Sequence, residues 1–346
     1  SLCRRDVKKT SNILIFLLFN YPMDSSSTHG WHNMVTLVTG GAGFVGSHLV
    51  DCLIENGHKV RIFDNMSSGR KSFLSHHGDL IDIVEADLLD IDAVKKAMEG
   101  VDIVFHLAAN PDIRLGTEIT DTDLKQGTVA TYNVLESMRV NGVSKIAFAS
   151  SSVVYGEAKQ MPTPENYGPL FPISLYGASK LGSEALITSW VGTFNLQAWI
   201  FRFANIVGAR GTHGVIFDFI HKLHRDKSRL EVLGNGRQEK SYMEVVDCAK
   251  AMLHVVNNTN EPINCYNLGT RDTCSVRRIA EIVLEETKCE DANIEYTGGD
   301  RGWAGDVPKS MLDPQRLFDL EFAPNFSSEE AIRHTARCLV DEIGQP

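Results

Sequence analysis

Apolar residues fall along this chain in short dense runs. Between the runs lie longer stretches in which apolar residues recur every three or four positions. The dense runs Val35–Val38, Val60–Phe63, Asp82–Val84, Ile103–Leu107, Ile146–Ala149 and Leu196–Phe201 have the length and β-branched content of buried strands. The stretches Phe44–Asn56, Ile91–Met98, Thr128–Asn141 and Ala178–Gly192 have helical periodicity. Strand and helix alternating in this way predict an α/β protein with a doubly wound parallel sheet. Right-handed crossovers would place the carboxyl ends of all its strands on one edge. The regular repeat stops in Gly208–Gly236 and again from Gly269 onward. These parts read as a smaller C-terminal lobe, residues 205–240 and 268–346, set on a first domain of residues 34–204. Ser241–Asn267 is expected to return partly to the sheet.

The first predicted strand runs into Thr39-Gly40-Gly41-Ala42-Gly43-Phe44-Val45-Gly46, which opens the first predicted helix, closed by Gly57. Strand, glycine turn and helix start together aim backbone N–H groups and the positive helix end at one point, where a pyrophosphate can sit. Asp64 follows Gly46 by 18 residues, at the end of the run Lys59–Phe63. That spacing suits a carboxylate bonded to the adenosine ribose hydroxyls of NAD. A glycine turn alone also serves as a tight strand-to-helix connection with no ligand.

The 346 residues carry a formal net charge of −10, which argues against a general nucleic-acid binder. Seven cysteines without a CxxC pair point to a reduced, cytoplasmic protein with no zinc site, and 12 histidines form no HExxH pattern. His76-His77 reads as part of a solvated loop, so no metal is expected. Residues 1–33 differ from the rest: Arg4, Arg5, Lys8 and Lys9 precede the apolar run Ile13–Phe19 and then Ser25-Ser26-Ser27. They read as a leader or an appended extension ahead of Met34. A short anchor or an export signal are the alternatives. The apolar run is too short for a membrane span, which needs about 20 residues.

Tyr176-Gly177-Ala178-Ser179-Lys180 places a phenol and an ammonium four residues apart at a helix start, on one face. A free phenol, with a pKa near 10, is a poor base at neutral pH. A neighbouring ammonium and a positive nicotinamide ring would favour its phenolate. Such a pair recurs by chance in many helices, and only context raises it. That context is Ala149-Ser150-Ser151-Ser152-Val153-Val154-Tyr155-Gly156 at a strand end, where a hydroxyl can bond a sugar oxygen that gains or loses a proton. Serines there can also simply satisfy a turn.

Gly40–Gly46, Asp64, Asp87-Leu88, His106-Leu107-Ala108-Ala109, the serine run before Val154-Tyr155-Gly156, and Tyr176…Lys180 together resemble the extended short-chain dehydrogenase/reductases. Within them the chain resembles the NAD-dependent nucleotide-sugar epimerase/dehydratase branch, the UDP-sugar 4-epimerases above all, from about Met34 to Asp319. The resemblance implies a Rossmann-type fold with NAD as cofactor. It implies that Gly40, Gly43 and Gly46, with Phe44 and Val45, hold the pyrophosphate. Asp64 and Asn65, with Ser67, would hold the adenosine ribose, Asp87 and Leu88 would flank the adenine, and Leu107, Ala108 and Ala109 would line the nicotinamide side. Ser151 becomes the catalytic hydroxyl beside Ser152, Tyr176 the base, and Lys180 the group that holds the nicotinamide ribose and tunes Tyr176. Asn205 matches an asparagine that contacts the phosphates of the sugar nucleotide.

The same positions separate chemistries. The related 4,6-dehydratases carry Thr-Asp-Glu where this chain has Ser151-Ser152-Val153, and UDP-glucuronate decarboxylases usually place a glutamate at the position of Val153. Without those acids, the implied reaction only takes a hydride from C4 and returns it to the opposite face of the turned 4-keto sugar. Asp64 repels a 2′-phosphate, which favours NAD over NADP.

Three departures stand out. Lys240 replaces an arginine and loses the bidentate fork. In Arg301-Gly302-Trp303-Ala304-Gly305-Asp306, Trp303 takes the place of the usual arginine, leaving Arg301 or Arg210 for the phosphates. Asp123-Leu124-Lys125-Gln126-Gly127-Thr128 lacks the usual asparagine three residues before Gly127. Four residues after Asp306, Ser310 occupies the position that gates space at the sugar's C2, and a small residue there implies room for an N-acetyl group. The resemblance further implies a homodimer through Thr128–Asn141 and Ala178–Gly192, with no nucleic-acid or membrane partner. A uronic-acid 4-epimerase or decarboxylase, and a non-catalytic NAD-binding regulator, are the other readings.

Overall fold

The computed structural model describes residues 33–346 apart from 111, 113, 114 and 304. Residues 1–32, which hold nearly all of the expected leader, lie outside the described residues. The chain opens with β1 (Val35–Thr39), whose valines and threonines suit a buried pleated strand. It enters α1 (Phe44–Glu55), which turns Leu49, Val50 and Leu53 into the core. Gly57, at φ +81°, takes the left-handed position just past the helix and donates to Ile54 O at 2.9 Å. There follow β2 (Lys59–Asp64), β3 (Ile81–Glu85), α2 (Ile91–Ala97) and β4 (Ile103–His106). Next come α3 (Ala130–Asn141), β5 (Lys145–Ser151), α4 (Leu175–Phe194) and β6 (Gln197–Phe203).

Two helices differ from the sequence reading at their starts. The stretch before α3 is a π-helical turn, Leu124–Val129, in place of a regular first turn at Thr128. Helix α4 begins three residues before Ala178, because the Ser174 hydroxyl caps it by accepting from Gly177 N at 3.0 Å.

The second half contains β7 (Asn205–Val207), α5 (Val215–Arg225), β8 (Arg229–Val232), β9 (Glu239–Lys240) and β10 (Tyr242–Glu244). Then come α6 (Val245–Asn258), β11 (Ile263–Leu268), β12 (Cys274–Ser275) and α7 (Val276–Thr287). The chain ends with β13 (Asn293–Tyr296), β14 (Lys309–Ser310), α8 (Gln315–Asp319) and α9 (Ser328–Ile343).

Seven strands form one all-parallel sheet in the order β11-β6-β5-β4-β1-β2-β3. This is a Rossmann-type doubly wound arrangement, and the winding reverses between β1 and β4. The crevice beyond their carboxyl ends is where such sheets bind ligands. Phe63, Phe148, Val134, Met138 and Ile187 belong to the core on this sheet. A second core gathers Phe219, Ile220, Leu223, Ile282, Ile332 and Leu339 from α5, α7 and α9. Those helices are amphipathic, but they bury their apolar faces on one another and on short ladders, β8 with β13 and β9 with β12 and β14. The strand–helix rhythm is therefore lost in that stretch.

Candidate active site

At the reversal point the chain makes a glycine-lined cradle. Gly40 has φ +69°, and a Cβ there would lie 2.8 Å from the amide nitrogen of Ala108, at the end of β4. A Cβ on Gly46 would strike the carbonyl oxygen of Gly40, so α1 can start this close only without side chains. Phe44 and Val45 form the first turn of α1, and no side chain caps its N-terminus at Gly43. Backbone N–H groups thus remain for an anion. Asp64 is buried beside the cradle, its two carboxylate oxygens accepting from Ala42 N at 3.0 Å and Met66 N at 2.8 Å. Burial holds its carboxyl above the ordinary value, while those two amide donors oppose the shift. Asn65 donates to Asp87 at 3.2 Å and accepts from Ser67 N at 3.0 Å, so Asn65, Ser67 and Asp87 form one rim. Leu88 turns its side chain into the sheet core. Leu107, Ala108 and Ala109 follow β4, and Thr39 O accepts from Leu107 N at 3.1 Å. These features fit a dinucleotide.

Tyr176 sits in the first turn of α4, with Lys180 one turn on. Lys180 Nζ lies 5.6 Å from the Tyr176 ring centroid and 4.8 Å from that of Phe148, and it donates to Ala149 O at 2.6 Å. Burial pushes the Lys180 ammonium down to about 8, with the carboxylates of Glu184 and Asp123 pulling the other way. Burial, and next the Asp123 carboxylate, hold the Tyr176 phenol above its usual value. Ser151 ends β5 half-buried, its hydroxyl accepting weakly from Val153 N at 3.4 Å, so it stays available. Ser152 follows in the same turn.

The preceding hydroxyl is spoken for: Ser150 Oγ donates to Glu184 at 2.5 Å, and Glu184 is clamped by Arg202 at 2.7 and 3.0 Å. This buried pair ties β5, β6 and α4 together. His106, also fully buried, is pushed down to about 3 by burial and by Lys180. It remains neutral and links Thr39 to Thr131 at 2.7 and 3.0 Å.

The residues expected on the second lobe fall into two groups. Strand β14 runs parallel to β9 with Ser310 in register with Lys240. Lys240 Nζ pairs with Asp306 at 2.6 Å, and Arg301 bonds both Asp306 O and the Glu157 carboxylate. Asn205 donates to Ser241 O at 3.2 Å, next to Lys240. Lys240, Arg301, Asp306, Ser310 and Asn205 therefore form one neighbourhood. A cavity of about 200 Å³ joins it to the start of α4, lined by Ser174 and Leu175 on one side and Trp303 and Gly305 on the other. Arg210 is not part of this group. Its guanidinium lies 2.9 Å from Asp51 on α1 and its backbone N–H donates to Glu342, so it is committed to holding the loop after β7.

Asp123 is a buried acid that the sequence pattern does not single out. Leu124, at the position of the missing asparagine, is exposed, but the π-helical turn brings the preceding residue inward. Asp123 is 2% exposed, and Asn110 donates to its Oδ1 at 3.1 Å. Its Oδ2 has no hydrogen-bond partner among the described residues. An acid just ahead of a helical run was the available signal. It reads more simply as an N-cap; Asp123 does hold the N-cap position of the π-helical turn, but its side chain makes no cap bond.

Comparison with known proteins agrees with this geometry. The model of the NAD dependent epimerase/dehydratase family matches residues 36–269. A Methanocaldococcus jannaschii protein, provisionally named a UDP-glucose 4-epimerase, is 35% identical over 88% of this chain and 97% of its own length. A crystal structure of a UDP-galactose 4-epimerase superposes with a TM-score of 0.82 at 39% identity, covering 90% of this chain and all of that one. The Thermus thermophilus UDP-glucose 4-epimerase in complex with NAD does so with a TM-score of 0.79 at 27% identity, covering 88% and 98%. The cofactor is NAD, and the protein is an enzyme of the NAD-dependent sugar epimerase kind. With the glycine cradle, the buried Asp64 carboxylate beside it and the Tyr176–Lys180 pair in place, the chain belongs to the NAD dependent epimerase/dehydratase family.

Proposed function

We propose that this protein is a UDP-sugar 4-epimerase that interconverts UDP-glucose and UDP-galactose and also accepts their N-acetylhexosamine counterparts. One observation carries the reading. Tyr176 and Lys180 share the first turns of α4, Lys180 bonds Ala149 O on β5, the strand that Ser151 ends, and the two positions after Ser151 are Ser152 and Val153, with no carboxylate to drive elimination. NAD supplies the hydride acceptor and donor at C4 of the sugar. Tyr176 takes the proton of the C4 hydroxyl and later returns it. Ser151 bridges the same oxygen. Lys180 holds its charge under the Tyr176 ring and favours the phenolate electrostatically. Residues 34–204 with 241–267 would hold the cofactor, and residues 205–240 with 268–346 the nucleotide, through Lys240, Arg301, Asp306 and Asn205. Ser310, in register with Lys240, leaves room at C2 for an acetamido group.

A homodimer through α3 and α4 is part of the proposal. Val129, Tyr132, Val140 and Phe194 are exposed apolar residues on or beside these helices, and Tyr132 and Phe194 both pack on Trp190. We place the protein in the cytoplasm, supported by six described cysteines that are all free thiols. No described helix is long and apolar enough to cross a membrane.

Replacing Tyr176 by Phe tests the reading. Turnover should fall by roughly 10²–10⁴-fold, the worth of a positioned proton-transfer group, while bound NAD is retained. Unchanged turnover would reject Tyr176 as the base.

A further inference from the structure

The pair His76-His77, expected in a solvated loop, is engaged. Both imidazole Nε2 atoms converge on a single carboxylate oxygen of Asp51, at 2.9 and 2.7 Å. The rings lie 4.0 Å apart, tilted by 41°. The His77 side chain is 9% exposed and that of His76 49%. The other oxygen of Asp51 faces Arg210 Nη1 at 2.9 Å.

We propose that Asp51, His76 and His77 form a two-histidine, one-carboxylate site for a divalent cation of the zinc class on the second turn of α1. The three ligand atoms already lie within 4.8 Å of one another. Zinc bonds of about 2.0–2.2 Å place tetrahedral ligands about 3.3 Å apart, so opening the two Asp51–imidazole contacts by roughly half an ångström and drawing the two imidazole nitrogens together by at most about 1.5 Å admits the ion. Imidazole and carboxylate together suit Zn²⁺, Cu²⁺ or Ni²⁺ better than Mg²⁺ or Ca²⁺. The half-exposed His76 leaves a side open for water as the fourth ligand. Arg210 fixes the carboxylate through the oxygen that the ion does not use, the role outer-shell partners take at metal sites. Its positive charge lowers the affinity, which points to a reversible site. The ion would bind neutral imidazoles, with each ring proton moving to Nδ1. Coordination would pin the 75–80 turn to α1. The loop after β7 is already joined to Asp51 through Arg210.

The test is isothermal titration of the full, chelator-treated protein with Zn²⁺, run in parallel on His76→Ala and His77→Ala. His76 is half-exposed, so its variant should fold, and an unchanged melting temperature without metal confirms that. The expected result is binding of one ion in the parent that weakens at least tenfold in each variant. A Ni²⁺ titration should show the absorption bands of imidazole ligation in the parent only. No binding in the parent, or equal binding in parent and variants, would overturn the proposal.

Discussion

Lys180 Nζ donates an N–H to the carbonyl oxygen of Ala149 at 2.6 Å. This bond stretches the side chain along the end of β5, beneath Tyr176, and holds the charge at a fixed place in a buried setting. The cost of that burial is a pKa pushed down to about 8. The charged form therefore dominates below that value and is lost above it.

If the ammonium is what favours the Tyr176 phenolate, kcat/KM should decline as pH rises past about 8. Lys180→Met should lose that limb together with roughly 10²-fold or more of the rate. The Asp123 carboxylate helps hold the Lys180 proton on, so Asp123→Asn should move the limb to lower pH. A pH profile in which neither variant alters the alkaline limb would contradict this assignment.

Glu184 and Arg202 form a buried bidentate pair that also receives the Ser150 hydroxyl. Arg202→Met strands a carboxylate in the core and should lower unfolding stability by roughly 3–5 kcal/mol. Urea denaturation measures it. A loss below about 1 kcal/mol, the range of an exposed ion pair, would contradict a bracing role.

Ser310 lies in register with Lys240 across the β9–β14 ladder. Ser310→Tyr should reduce turnover of UDP-N-acetylglucosamine by roughly tenfold or more relative to UDP-glucose, the scale on which pocket size discriminates. Equal loss on both sugars would mean that Ser310 gates nothing.

Much of this was legible in the sequence because the first half obeys local rules. The glycine cradle, Asp64 and the Tyr176–Lys180 pair depend on spacing within one strand–turn–helix unit or one helix face, and periodicity reveals such units. The second half was less legible. Its helices α5, α7 and α9 form their own core, so no sheet rhythm marks them. Arg210 had the right charge for a phosphate contact, but its partner Asp51 is 159 positions away and on another element. Asp51 likewise gathers His76 and His77 across 25 and 26 residues, which no local pattern reports. Asp123 escaped because a π-helical turn shifts the register by one residue, moving an acid inward and Leu124 outward.

The most direct test of the central claim is proton NMR of the purified protein incubated separately with UDP-glucose, UDP-N-acetylglucosamine and UDP-glucuronate. A 4-epimerase inverts C4, so signals of the galacto-configured product should grow from UDP-glucose and from its N-acetyl counterpart. Formation of UDP-xylose from UDP-glucuronate, or no change at C4 in any sugar with NAD bound, would contradict it.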